Sequence, residues 1–172
     1  RGGDWDDNGI WRVLHNHKWD ADHAFLRNAF TDLGRIIFST TDLLRFNPPA
    51  QQAAEARFLR AFATFWILDG WGKVPYRENT ADPREIPKVR EGQEALDFVI
   101  SELTAIIPAL PNFAAGQQFV ASKDAARVLL MKCYLNKNIY SSADRQSTTF
   151  AAADMNQVIT LADQILGNSA YS

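Results

Sequence analysis

The 172-residue sequence has a single cysteine, Cys133. One thiol forms no internal disulfide and no multi-cysteine zinc site, although it leaves the redox compartment open. Neither sign of charge is in excess. Eighteen lysines and arginines stand against 20 aspartates and glutamates, for a formal net charge of -2. Without a basic footprint or a long lysine–arginine run, the chain is not expected to bind nucleic acid. Long apolar runs are missing too. The longest, Ala61 to Leu68, is interrupted by Thr64 and falls well short of the ~20 residues that cross a bilayer as a helix. The chain opens on Arg1 with no charged-then-apolar leader. The expectation is a fragment or processed product, with any export signal or lipid anchor lying upstream. What is present is ordinary globular composition: 47% apolar and 22% charged residues, enough to bury a core and too apolar for wholesale disorder.

Five stretches show helical periodicity. Phe25, Leu26, Ala29, Phe30, Leu33, Ile36, Ile37, Leu43 and Leu44 recur at three-to-four spacing between about Ala21 and Phe46, and Asn47-Pro48-Pro49 stops that helix. A second helix runs from near Pro49 to about Asp69, ended by Gly70 or Gly72. Phe58, Leu59, Phe62, Phe65 and Trp66 are read as one face, with Ala61, Ala63, Ile67 and Leu68 filling the rest. A helix apolar nearly all round is covered on several sides and belongs at the centre. The third helix spans about Gln93 to Ile107, closed by Pro108 and Pro111. The fourth starts at Ser122 as N-cap and reaches about Asn138. The fifth covers about Ala151 to Leu166, with Met155, Val158, Ile159, Ala162, Ile165 and Leu166 as its stripe and Gly167 as its C-terminal cap. Residues 1–19 read as irregular, residues 70–91 and 108–121 as long connections, and no strand pair stands out. The fold class is therefore all-α, built of helix pairs with long irregular loops.

Several constellations bear on chemistry. Asp4-x-Asp6-x-Asn8-Gly9 matches the opening of an EF-hand calcium loop, but the twelfth position is His15, which supplies no bidentate carboxylate. His15 and His17 alternate as a pair on an extended strand would, and no third metal ligand accompanies them. Trp5 and Trp11 flank Asp6, Asp7 and Asn8. Flat indoles cover the C–H faces of a sugar ring, and short carboxylates and amides satisfy its hydroxyls. The competing reading buries these tryptophans in the helical core, as is usual for that residue. Nucleophile and metalloprotease motifs are absent. Glu78, Asp82, Glu85 and Glu91 lie in or beside a loop, where sequence spacing does not establish the carboxylate pair that a glycosidase requires. Glu55, Arg57 and Arg60 sit on the otherwise apolar second helix and call for structural ion-pair partners.

The segment from Glu55 to Tyr76, EARFLRAFATFWILDGWGKVPY, resembles the E-A-x-F-L-R-A helix and F-G-x-V-P turn of the SusD/RagB family, with Trp71 where phenylalanine is usual. Three further segments resemble that family in the same order: Leu96 to Pro111, Ala121 to Asn136 (its S-K-x-A-A-x-x-L-L-A-K-x-Y-L-N helix), and Ala162 to Leu166. The opening Arg1 to Gly9 resembles a loop of starch-binding members. On this resemblance, residues 1–172 are a fragment of a single SusD-like domain of tetratricopeptide-like helix pairs. Its parts are a ligand-type loop (1–20), a first helix pair (21–69), a loop (70–91) and further helices (92–172). The polar loop at 140–149 has no counterpart.

The resemblance implies a surface-exposed outer-membrane lipoprotein of Bacteroidetes-type bacteria, joined to the membrane only through an upstream lipid anchor. Such a protein binds oligosaccharide or polysaccharide without catalysis or cofactor and delivers it to a SusC-like TonB-dependent transporter. It also implies glycan contact by Trp5, Asp7, Asn8 and Trp11, with Asp6 a weaker choice. The alternative is a helical-repeat protein-interaction scaffold without direct sugar contact.

Overall fold

The computed structural model describes residues 9–79, 81–144, 146 and 149–171. Six α-helices and one small sheet follow each other along these residues: α1 (Ile10–His15), α2 (Ala24–Leu44), α3 (Ala50–Trp71), β1 (Lys73–Tyr76), β2 (Lys88–Glu91), α4 (Gly92–Ile106), α5 (Lys123–Ser141) and α6 (Ala152–Leu166). Each long helix packs on the next, α2 on α3, α3 on α4, α4 on α5 and α5 on α6. This is the stacked-pair architecture expected of an all-α chain whose apolar stripes must each find a neighbour.

α3 is the central element, covered by α2 on one side and α4 on the other. The small residues Ala54, Ala61 and Ala63 let those neighbours approach, and Phe65, Ile67 and Leu68 are buried with them. The core continues through Leu96, Val99, Leu103 and Ile106 of α4 and Ala126, Leu129, Leu130 and Cys133 of α5. Ser122 caps α5, its hydroxyl accepting from the Ala125 N–H at 3.2 Å. Asp124 is buried in the first turn and takes Arg127 at 2.6 Å and Asn168 at 2.8 Å.

The structure corrects several expectations. Residues 10–15 form a short helix rather than irregular chain. The 70–91 connection contains an antiparallel ribbon, with Lys73 opposite Glu91 and Tyr76 opposite Lys88. Four-residue strands holding a proline carry too little periodicity to be seen in sequence. Gly72 ends α3 in the left-handed region (φ 74°), which turns the chain into β1. Gly92 starts α4 at φ 52°, where a Cβ would lie 3.1 Å from the Tyr140 carbonyl oxygen, so any other residue there is strained. Gly167 closes α6 in right-handed geometry (φ -72°), not as the left-handed cap its position suggested.

Two predicted faces are also reoriented. On α3, Leu59, Phe62 and Trp66 are exposed while the smaller Ala61, Ala63, Ile67 and Leu68 face inward. The rings of Phe58, Phe62 and Trp66 form an outward ladder with centroids 6.4 and 6.1 Å apart. On α6, Leu161 is buried and Ile159 and Leu166 are exposed. Among the described residues α6 packs mainly against α5, so it buries a narrower stripe than its sequence carries.

Candidate functional site

Aromatic side chains gather where α1, the start of α2 and the end of α3 meet. α1 presents Trp11, whose ring lies 4.6 Å from that of Phe25 at the start of α2. His23 is buried beneath and donates from Nε2 to the Ile10 carbonyl at 3.3 Å, tying α1 to α2. After α1 the chain reverses through His17, at φ 54°, and brings Trp19 alongside, 5.3 Å from the His17 ring. Asp20 then accepts the Asp22 N–H at 3.0 Å in a local turn. From the other side, Trp71 is the last residue of α3 and meets Phe30 edge-on at 5.4 Å.

Trp19 and Trp71 flank a cavity of about 650 Å³ whose wall also holds Asp20, Leu26, Arg27 and Phe30. Trp11, Trp19 and Trp71 are 41%, 46% and 38% exposed. Each is therefore anchored on one side by packing and open on the other. This suits a flat apolar ligand face, because a held ring loses little further entropy on binding. Asp20 supplies acceptors and Arg27 supplies donors at the edge of the same cavity.

Of the residues expected to contact glycan, Trp5, Asp7 and Asn8 lie outside the described residues, as do Asp4 and Asp6 of the calcium-like motif. Trp11 is described and half-exposed, and it packs on Phe25 rather than lining the Trp19–Trp71 cavity. Trp19 and Trp71 were not singled out in the sequence. Trp71 carried a signal in standing where phenylalanine is usual. Trp19 carried none, because a tryptophan in an irregular stretch gives no sign of which way it faces. His15 and His17 do not alternate on a strand, since one ends α1 and the other occupies a turn. No group of three metal-ligating side chains exists among the described residues.

Three of the four loop carboxylates are engaged by cations. Asp82 pairs with Arg84 at 2.7 Å, Glu91 with Lys73 at 3.4 Å and Glu78 with Arg90 at 3.5 Å. Hydrogen bonds from the side chain and backbone of Arg84 hold the Asp82 carboxyl below the usual carboxylate range. Cys133 lies inside α5 in the core, where burial pushes its thiol up to about 12, so it is no nucleophile near neutral pH.

The partners of the α3 charges are also explicit. Arg57 and Arg60 both grip Glu102 of α4, at 2.8 and 2.7 Å, while Glu55 accepts from Gln51 at 3.0 Å. Burial alone would push the Glu102 carboxyl upward. Hydrogen bonds from Arg57 and Arg60, and their positive charges, outweigh that and hold it below its ordinary value.

No family model matches the sequence. Starch-binding protein SusD of Bacteroides thetaiotaomicron is 30% identical over 121 residues, covering 70% of this chain and 20% of that protein. A crystal structure with xylogluco-oligosaccharide superposes with a TM-score of 0.76 at 20% identity, over 97% of this chain and 34% of that one. A SusD-like carbohydrate binding protein from Bacteroides fragilis NCTC 9343 gives 0.68 at 24% identity, over 91% and 31%. The chain thus spans about one fifth of the curated relative and about one third of the solved neighbours. The sequence match and the shared stacked-helix fold together make this chain a relative of the SusD family.

Proposed function

We propose that the protein binds oligosaccharide without turning it over, at the bacterial cell surface, for delivery to a SusC-like TonB-dependent transporter of the outer membrane. The observation that carries this reading is the Trp19–Trp71 cavity, with two half-exposed indoles around a space edged by Asp20 and Arg27. A starch-binding relative and a structural neighbour bound to xylogluco-oligosaccharide support it. In this proposal Trp11 extends the aromatic surface, and Trp5, Asp7 and Asn8 of the opening segment complete the sugar contacts.

Isothermal titration of the protein with malto- and xylogluco-oligosaccharides tests the proposal. Saturable binding in the micromolar-to-millimolar range, roughly -8 to -4 kcal/mol, is expected, with no reducing sugar released. Sustained release of reducing sugar from either oligosaccharide would refute a non-catalytic role. Weakening by roughly thirtyfold in each of Trp19→Ala and Trp71→Ala would support the cavity, whereas wild-type affinity in both would remove it.

A second reading, a helical scaffold that docks a protein, is favoured by the outward Phe58–Phe62–Trp66 ladder. It predicts that Phe62→Lys abolishes co-purification with the transporter and leaves the sugar titration unchanged.

A further inference from the structure

A backbone outlier stands beside the tryptophan-lined cavity. Among the described residues, Gly9, Gly72, Gly92, Gly116, Asn47 and His17 have a positive φ. Glycine meets no steric penalty there, and a short asparagine side chain tolerates the region by bonding locally. His17, at φ 54°, is the one of these residues that carries a ring. The local hydrogen bonds explain its conformation. α1 ends at His15 with Asn16 as its C-cap, the His17 N–H donates to the Leu14 carbonyl at 3.1 Å, and the Lys18 N–H donates to the Val13 carbonyl at 3.0 Å. That pair of bonds is a Schellman ending, whose left-handed residue is usually glycine. Histidine tolerates the left-handed region better than most residues do, but glycine would close the same turn with less strain. The turn alone therefore does not call for an imidazole.

The side chain supplies what glycine lacks. The His17 imidazole lies 5.3 Å from the Trp19 ring, tilted by 46°, and no other ring of the described residues packs on Trp19. Trp11 and Trp71, by contrast, rest on Phe25 and Phe30, both carried by the long helix α2. Trp19 belongs to no helix or strand and is 46% exposed, so regular secondary structure does not fix its ring. An indole that rotates freely has to be ordered when a ligand settles on it, and the lost entropy weakens binding. A ring already seated on a neighbour avoids that loss. Trp19 lines the cavity and His17 does not, so the histidine acts through the tryptophan and not by touching a ligand.

We infer that His17 is a positioning residue, whose left-handed turn and ring together hold Trp19 at the wall of the cavity and so raise affinity for a stacked sugar. The inference rests on the proposed sugar site, although the seating of Trp19 on His17 is measurable with no sugar present.

The test compares the wild type with His17→Asn. Asparagine keeps the left-handed turn and lacks the ring, so the urea midpoint should stay at the wild-type value. Nitrogen-15 relaxation of the Trp19 indole N–H, assigned through Trp19→Phe, reads the seating directly. Its order parameter should fall from the range of a rigid group, about 0.85, toward about 0.6 in His17→Asn. Isothermal titration with malto- and xylogluco-oligosaccharides reads the consequence. His17→Asn should weaken whichever of them the wild type binds by about fivefold, the effect of ordering one side chain on binding. An unchanged order parameter, or wild-type affinity in His17→Asn, would overturn the inference. So would a lowered urea midpoint with the order of Trp19 intact, which would make His17 a structural residue only. If the wild type binds neither oligosaccharide, the sugar site itself falls, while loss of Trp19 order in His17→Asn would still uphold the seating.

Discussion

The two ends of α2 use the same residue types in opposite ways. At its start, Trp11, Trp19 and Trp71 lean on Phe25 and Phe30 and keep a face in solvent. Near its end, arginines and aromatics are locked together. Arg57 and Arg60 share Glu102, Arg60 lies 5.5 Å over Phe98, and Arg90 is sandwiched between Tyr76 and Phe98. An aromatic ring with one free face is a recognition surface. A ring covered by a guanidinium is a structural part. Residue type does not separate the two roles, because partner and exposure decide between them.

Breaking the charged end should have the largest effect. Glu102→Ala leaves Arg57 and Arg60 without their shared carboxylate inside the fold, and should cost about 3 kcal/mol or more in urea unfolding. The folded fraction should still bind oligosaccharide, which separates a structural role from a binding one. A stability loss below about 1 kcal/mol would erase the contrast between the ends.

Acid should find the same weak point. The Glu102 carboxyl is lower in the folded protein than its ordinary 4.5. The native state therefore binds fewer protons than the unfolded chain, and stability present above that value is lost as pH falls through the folded one. A pH series of unfolding midpoints should show a drop that begins as the pH falls through the ordinary glutamate value and continues to the lower folded one, and Glu102→Gln should flatten it.

At the other end, Trp19→Ala and Trp71→Ala should each weaken oligosaccharide binding by about 2 kcal/mol, roughly thirtyfold, as anchor residues do. Their effect on the unfolding midpoint should be the smaller one, because each ring is already partly solvated. A variant that lost stability but kept its affinity would assign its tryptophan to packing instead.

The smallest effect should come from α6. Ile159→Ser sits on the outward side of the stripe and should change stability by no more than about 0.5 kcal/mol. A loss several times larger would mean that Ile159 is covered.

The legibility of the chain follows interaction range. The helices were readable because three-to-four periodicity and proline or glycine stops act within a few residues. Ser122 as a cap, Gly70 or Gly72 as a terminator and α3 as the central helix were visible for that reason, and the structure selects Gly72. The Arg57–Glu102 pair spans 45 positions and Tyr140–Asp69 spans 71, so no local pattern could supply either partner. The α3 face was misjudged because bulk was taken as a sign of burial. The close neighbours α2 and α4 instead select alanines inward and push Leu59, Phe62 and Trp66 out. Of the candidate site, Trp11 was named from the sequence, while Trp19 and Trp71 became partners only when a turn at His17 and the end of α3 were brought together.

By itself, the sequence determined an all-α chain of helix pairs, the approximate starts and stops of its five long helices, and a resemblance specific enough to point to the SusD family. These are short-range consequences of backbone chemistry and side-chain period. Tertiary structure alone decided which tryptophans keep a free face and which carboxylate neutralises Arg57 and Arg60. Those outcomes depend on contacts between segments distant in sequence, and burial and charge pairing take their values only once those segments have packed.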